Sequence, residues 1–312
     1  MSDENLKREI AWETVEVVQN IQDFIKEHIL DEDFNKEAVY IIAGYSPRQC
    51  ERLFHELKGM TISEYIRAIR LTESSFNLLG NERKTVLEIA LDSSFKSHEG
   101  YTKAFSKRFG ITPDAYRKAP LAIPLFIQYP IRAYYSYLYQ RENLKMNEEL
   151  MLCMISVVDK PKRMLLLLRS LKAHDYWSFC EEMGCDWEGL FNSIPEKMDV
   201  AAILELPECL QKTGSSKIAA GVELPINYTG RIPANCEIVE MVECKMLYFQ
   251  SDSFEKDEEF GTAIDCVFRA INKYHIESYG YKYAFEAAPK FNYGASKEMG
   301  AKMALPIQKI LV

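Results

Sequence analysis

Histidine is scarce in this 312-residue chain: five occur, at 28, 55, 98, 174 and 275, none at metal-ligand spacing. H-E-x-x-H, a Gly-rich phosphate loop and G-x-S-x-G are all missing, so no catalytic or metal signature stands out. The eight cysteines are scattered without a C-x-x-C pair, which suits isolated thiols in a reducing, cytoplasmic setting rather than a disulfide framework. Long apolar runs are absent too. The longest candidate, Met164 to Leu168, falls far short of the ~18 residues that span a bilayer, and the polar start MSDENLKREI is no secretory signal. Only 14 glycines and 12 prolines occur, which excludes collagen-like and low-complexity chains. With 47% hydrophobic and 27% charged residues, the chain has an ordinary globular balance, and its length predicts two domains or at most three.

The net charge of −8 argues at first against a polyanionic partner, but the charge is unevenly spread. Residues 1–44 hold 4 basic and 11 acidic side chains, residues 45–118 hold 13 and 9, and residues 119–312 hold 21 and 26. One basic segment inside an acidic chain is a weak footprint of nucleic-acid binding.

The first 118 residues read as helices only. Val15, Val18, Ile21, Ile25 and Ile29 recur at helical spacing. Ser46-Pro47-Arg48-Gln49, Thr61-Ile62-Ser63-Glu64 and Thr85-Val86-Leu87-Glu88 are three capping-box starts, and glycines at 44, 59, 80 and 110 mark ends. A short helix, a tight turn and a second helix occur at 36–57 and again at 86–109, the helix-turn-helix layout. The helix between them, about 18 residues or roughly 27 Å, would set two recognition helices on one DNA face.

Ile41-Ile42-Ala43-Gly44-Tyr45-Ser46, Arg52-Leu53-Phe54, Gly59, Tyr65-Ile66 and Arg70-Leu71 resemble the first half of an AraC/XylS-type DNA-binding domain. Val86-x-x-Ile89-Ala90, Phe95, Tyr101-x-x-x-Phe105-x-x-x-Phe109-Gly110-Ile111-Thr112-Pro113 and Tyr116-Arg117 resemble its second half. Ser94 departs from the family, which has Gly before the aromatic, so the turn there is expected to be distorted. The resemblance implies base reading from the exposed face of each second helix. In the first unit that face offers Arg48, Gln49, Glu51, Arg52 and His55; in the second, His98, Glu99, Thr102 and Lys103, with Lys107 and Arg108 suited to phosphates. Arg48 is the best-placed base contact. A merely solvated polar face is the alternative for each residue, and Arg52 has Glu51 and Glu56 as internal partners. Cys50, Leu53, Phe54, Tyr101, Phe105 and Phe109 fall on apolar faces and are expected in the core.

Beyond Pro120 the pattern changes. Residues 119–150, with prolines at 120, 124 and 130, are expected to be a linker. Strands are expected at 151–158 and 163–169, as a hairpin around Asp159-Lys160-Pro161, and at 200–206, 216–224, 243–250, 281–287 and 301–308; helices are expected at 175–194 and 255–275. The fold class expected is therefore multidomain: an all-α double helix-turn-helix domain at 1–118, then an α+β domain at 151–312 made of two strand–helix–strand–strand repeats.

Trp187-x-x-Leu190-Phe191-x-x-Ile194-Pro195, Gly221-Val222-Glu223-Leu224-Pro225, Gly230-x-Ile232-Pro233, Leu247-Tyr248-Phe249-Gln250 and Tyr283-Ala284-Phe285-Glu286 make this second part similar to the GyrI-like effector domain. The resemblance implies a pocket between the two halves that takes organic, often cationic, molecules through aromatics and a buried carboxylate. Glu286 matches that carboxylate, with Trp177, Trp187 and Tyr248 as aromatic partners. The alternative is that Glu286 points outward or pairs with Lys282 or Lys302. The expected partners are double-stranded DNA and a small-molecule effector, with RNA polymerase as a candidate third; no membrane, metal or cofactor is expected. Two rivals to a non-enzymatic regulator are a hydrolase using Glu286 with Glu223 or Glu205 as a carboxylate pair, and a protein-interaction module.

Overall fold

A computed structural model describes residues 12–31, 34–81, 83–143 and 151–310. The chain separates into two compact units: residues up to Pro120 with Gln128–Tyr139, and Leu121–Ile127 with the chain from Gln140 onward.

The first unit is helical: α1 Trp12–His28, α2 Lys36–Ala43, α3 Pro47–Lys58, α4 Ile62–Gly80, α5 Val86–Asp92, α6 His98–Phe109, α7 Pro113–Lys118 and α8 Ile131–Asn143. Local chemistry sets the starts. Asn35, Ser46, Thr61, Thr85, Ser97 and Thr112 each accept a hydrogen bond from a backbone N–H in the first turn of the helix they precede. Thr61 with Glu64 and Thr85 with Glu88 form complete capping boxes. The bonds that Glu64 and Glu88 accept from the backbone N–H groups of Thr61 and Thr85 hold both carboxyls below their usual range. At Ser46 the box is incomplete, because the hydroxyl itself donates to Gln49 Oε1 at 3.3 Å. Inside lie Val15, Val18, Ile21, Ile25, Phe54, Tyr65, Tyr101 and Phe105, all fully buried.

Helix α8 occupies part of the span expected as a linker. Its first turn leaves backbone N–H groups without helical partners. Two buried glutamines of α1 accept them: Gln22 from Ile131 N at 3.0 Å and Gln19 from Arg132 N at 2.9 Å. Arg132 then forks onto Glu16 with bonds of 3.0 and 2.8 Å. The first unit is therefore closed by a segment more than a hundred residues from the helix it docks on.

The second unit is built on one antiparallel sheet: β1 Cys153–Lys160, β2 Arg163–Arg169, β3 Ala202–Glu205, β4 Ile218–Pro225, β5 Glu237–Met241, β6 Cys244–Ser251, β7 Tyr281–Tyr283, β8 Lys290–Ser296 and β9 Gly300–Lys309. Their order is β1-β6-β9-β8-β3-β4-β2-β5, with β7 on β9. Strands β1 and β2 do not form the expected hairpin. β1 pairs with β6, and β2 lies between β4 and β5. The two residues at 161–162 carry the chain from one end of the strand order almost to the other, as do Val242–Glu243 between β5 and β6. Extended chain covers at most ~3.6 Å per residue, so the sheet curls until its extreme strands meet at this end. Helices α9 Tyr176–Met183, α10 Asp186–Asn192 and α11 Glu259–Lys273 cover one face. Phe179, Trp187 and Phe191 pack there against Leu166, Ala220, Val222 and Leu224, and Ala263 and Val267 against Leu247, Phe249 and Leu305. On the other face Leu165, Leu167, Leu204, Ala219, Met246, Phe291 and Ala304 bury one another with no α-helical residue among them; Leu210, from the single 3-10 turn Glu208–Leu210, packs at their edge.

Two strands escaped sequence reading. β5 is short and charged. β8, Lys-Phe-Asn-Tyr-Gly-Ala-Ser, has weak strand propensity and is fixed by its neighbours β3 and β9. The strand expected at 281–287 ends at Tyr283, and the chain turns through 285–287.

The expected distortion at Ser94 is present. Its φ is +59°, and Ser94 N–H and Phe95 N–H bond back to Leu91 O (2.8 Å) and Ala90 O (2.9 Å), ending α5. The left-handed region costs a residue with a Cβ roughly 1–2 kcal/mol, partly offset by the greater unfolded freedom of glycine. Ser94→Gly is therefore expected to stabilise the helical unit by about 0.5–1 kcal/mol, measured by urea denaturation; a loss of stability contradicts this.

Candidate nucleic-acid interface and concave site

The two helix-turn-helix units are α2–α3 and α5–α6. Their second helices bury one stripe, Cys50, Leu53 and Phe54 in α3 and Tyr101, Phe105 and Phe109 in α6. That burial leaves Arg48, Gln49, Arg52 and His55 exposed on α3, and His98, Glu99, Lys103 and Lys107 exposed on α6. Arg52 lies 3.6 Å from Glu56 across an exposed helical turn, a pair worth little in water.

Two residues expected on the reading face are placed otherwise. Glu51 turns inward. Oε1 accepts from Tyr40 OH at 2.9 Å and Lys36 Nζ at 3.3 Å, and Oε2 from Ile62 N at 3.1 Å. It ties α2, α3 and the start of α4 together, so it has no free oxygen to offer a cytosine. Thr102 is half-buried, and its hydroxyl oxygen is shielded from solvent. Arg108 is half-buried, while Lys107 projects freely as a phosphate contact would.

In the second unit Glu223 and Asp257 lie buried, and Glu286 does not. Glu286 sits in the exposed turn after β7. β7 stops pairing with β9 after three residues; Ala284 is still buried and bonded to Pro306 O, but Phe285, Glu286 and Ala287 turn out into solvent. Glu223, on the helix-free face of β4, retains 2% of its exposure, and Arg163 retains none. Arg163 Nε donates to Glu223 Oε1, Lys160 Nζ lies 2.6 Å from Oε2, and Arg163 Nη1 also donates to Pro161 O (3.1 Å) and Val242 O (3.2 Å). Burial disfavours the charge on Lys160, but Glu223 more than offsets it and raises its pKa. Arg163 thus holds both short crossovers that curl the sheet.

Beside this group the phenols of Tyr248 and Tyr293 stand 3.3 Å apart, oxygen to oxygen, with near-parallel rings. Both keep some accessible surface, yet burial pushes the Tyr293 phenol well above its usual range and raises that of Tyr248. Lys302 lies over the Tyr293 ring at 4.1 Å and pairs with Asp199 at 2.7 Å. Of the expected aromatic partners, Tyr248 belongs here. Trp187 is core, edge-on to Phe179 under α10, and Trp177 packs on Tyr176 at the start of α9, on the helical side.

A helix-turn-helix domain family matches residues 41–119. The Tn10 TetD protein of Escherichia coli is 40% identical over 95 residues, 30% of this chain and 68% of TetD. The regulatory protein SoxS of Salmonella typhimurium is 32% identical over 102 residues, 33% of this chain and 94% of SoxS. The chain belongs to the AraC family of DNA-binding transcriptional regulators. The right origin-binding protein of Escherichia coli is 34% identical over 116 residues, but the match spans only 39% of that protein and 37% of this one. The family membership of this AraC-type chain therefore rests on about a third of its length.

Glu223 was legible as one carboxylate among apolar neighbours, but so was Glu286; only the pairing of β4 on both sides separates them. Glu223→Gln strands two cations in a dry interior. A broken buried pair costs about 3–5 kcal/mol, so a loss of that size is expected for the second unit in chemical denaturation. A loss below ~1 kcal/mol would show that the triad does not hold the sheet.

Proposed function

We propose that this regulator reads double-stranded DNA through Arg48, Gln49, Arg52, His98, Glu99 and Lys103, positions itself with Lys107 on phosphate, and takes a small organic effector on the helix-free face of its second unit. The observation that carries the reading is the pair of buried-stripe helices, each presenting an exposed polar face with no partner element of the first unit against it among the described residues. Arg48 stands in the first turn of α3, exposed, where a bidentate reach to guanine O6 and N7 is open to it. The domain division proposed is a reader at 1–118, completed by the docked segment Gln128–Tyr139, and an effector domain at 151–312, in a cytoplasmic setting, with RNA polymerase a further partner.

Support for the effector domain comes from its internal order. Read outward from the middle of the sheet, β3, β4, β2 and β5 on one side match β8, β9, β6 and β1 on the other, and each half contains a strand–helix–strand–strand run, β2, α9–α10, β3, β4 and β6, α11, β8, β9, with β5 and β1 at the outer ends and β7 off the path. We read this as a duplication, with Tyr248 and Tyr293 on the same half. A hydrolase is the less favoured reading. Glu223 and Glu205 are each held by two cations, Lys160 and Arg163 for the first and Lys217 and Lys290 for the second. Despite its burial, the two lysines keep the Glu205 carboxyl below its usual range, whereas a general acid at neutral pH needs the opposite shift.

For the full chain on a selected promoter sequence, Arg48→Ala is expected to cost about 1–3 kcal/mol and to relax choice at one base position. Lys107→Ala weakens all sequences alike and lowers the slope of log affinity against log salt by about 1. Equal, sequence-blind losses in a binding-site selection would refute the role of Arg48. An effector raises apparent stability with its concentration, so a thermal-shift screen of small organic compounds is expected to raise the unfolding temperature of the second unit; a screen without any shift counts against an effector.

A further inference from the structure

Beyond Pro120 the chain belongs to the two units in turn: Leu121–Ile127 goes with the second and Gln128–Tyr139 with the first. On the second unit the segment is seated by its backbone. Ile123 N donates to Ser193 Oγ at 3.0 Å, and Ser193 Oγ donates in turn to Leu190 O of α10 at 2.7 Å. Ile123 and Leu125 are buried. Gly189 of α10 leaves the space through which Leu125 passes: a Cβ there would lie 1.9 Å from Leu125 O and 2.7 Å from its carbonyl carbon. Only glycine lets another backbone come so close. Four residues further on, Tyr129 O accepts from Gln22 Nε2 of α1 at 3.1 Å and from Lys58 Nζ, on the last residue of α3, at 3.2 Å. Gln22 Nε2 also donates to Tyr65 OH of α4 at 2.9 Å. One carbonyl of this segment thus joins α1, the end of the second helix of the first helix-turn-helix unit and, through Gln22, the helix that spaces the two units.

From this path we infer that residues 121–139 are a strap that couples the second unit to the DNA-reading helix α3: what loosens its seat on α10 loosens the hold of Tyr129 on Gln22 and Lys58. The piece seated on the second unit ends at Ile127 and the piece seated on the first begins at Gln128. Ordering one piece therefore removes chain freedom that docking the other would have to overcome. Such a coupling is reciprocal, so each seat strengthens the other. The inference goes beyond the effector reading, because it holds whatever the second unit binds; where an effector acts on α10, the strap is its route to the DNA.

Hydrogen exchange of the full chain, read at single amides, tests it together with affinity for a selected DNA site. Gly189→Ala drives a Cβ into Leu125 and unseats 121–127, while alanine favours the helix itself. It is expected to speed exchange at Ile131 N and Arg132 N, in the other unit, at least about fivefold. Binding to the selected site is expected to weaken by a similar factor, with exchange on β6 and β9 unchanged. Ser193→Ala removes the acceptor of Ile123 N without inserting an atom, and is expected to act in the same direction more weakly; it decides the matter where Gly189→Ala also speeds exchange on β6 and β9. Gln19→Leu removes the acceptor of Arg132 N and is expected to speed exchange at Ile123 N and Leu125 N in return. Faster exchange confined, in every variant, to the unit that carries the substitution overturns the coupling. Coupled exchange with unchanged DNA affinity overturns its link to α3. If the unaltered chain selects no DNA site, the DNA reading fails, and the exchange results still decide whether the strap couples the two units.

Discussion

A guanidinium with no exposed surface, Arg163, lies where two short strand connections converge. Such a charge is tolerable in an interior only when it is paired and its donors are used. Glu223 supplies the counter-charge, and the carbonyls of Pro161 and Val242 take further donors. Those carbonyls belong to the connections that join opposite ends of the strand order. The curl of the sheet, the apolar interior on its helix-free side and the placing of Lys160 beside Tyr248 all follow from satisfying this one group. Glu223 is consumed in doing so: one of its oxygens is held by Arg163 and the other by Lys160.

In the helical unit, polar satisfaction decides which residues remain for DNA. Glu51 looks like a base-reading residue on α3, but it holds three donors from α2 and α4 and so serves the fold. Gln19 and Gln22, which look like surface residues of α1, are buried because they accept the first N–H groups of α8. What survives on α3 and α6 is the set of side chains without an architectural task, led by Arg48 and Lys107. α4, at 19 residues and ~28 Å, separates the two helix-turn-helix units by nearly one turn of duplex.

The helices of the reader were legible because their signals are local. Thr61 and Glu64, or Ser97 and Gly100, specify a helix start within four residues, and the stripe Tyr101, Phe105, Phe109 is a matter of spacing. Even the strained turn at Ser94 was visible. The second unit was legible in its apolar strands and poorly legible in their pairing. Asp159-Lys160-Pro161 between two apolar runs has the look of a hairpin, and only the closure of the whole sheet sends β1 and β2 apart. Glu286 and Glu223 have similar neighbours along the chain, and their opposite fates depend on where β7 loses its partner. Helix α8 was missed because its start is capped from α1, far away in sequence.

The central claim is that two helix-turn-helix units of one chain read one face of a duplex. Hydroxyl-radical footprinting of the full chain on a selected site tests it most directly. The account predicts two protected stretches on each strand whose centres lie about 10 base pairs apart. A single protected stretch, or two offset by half a turn onto opposite faces, would contradict it.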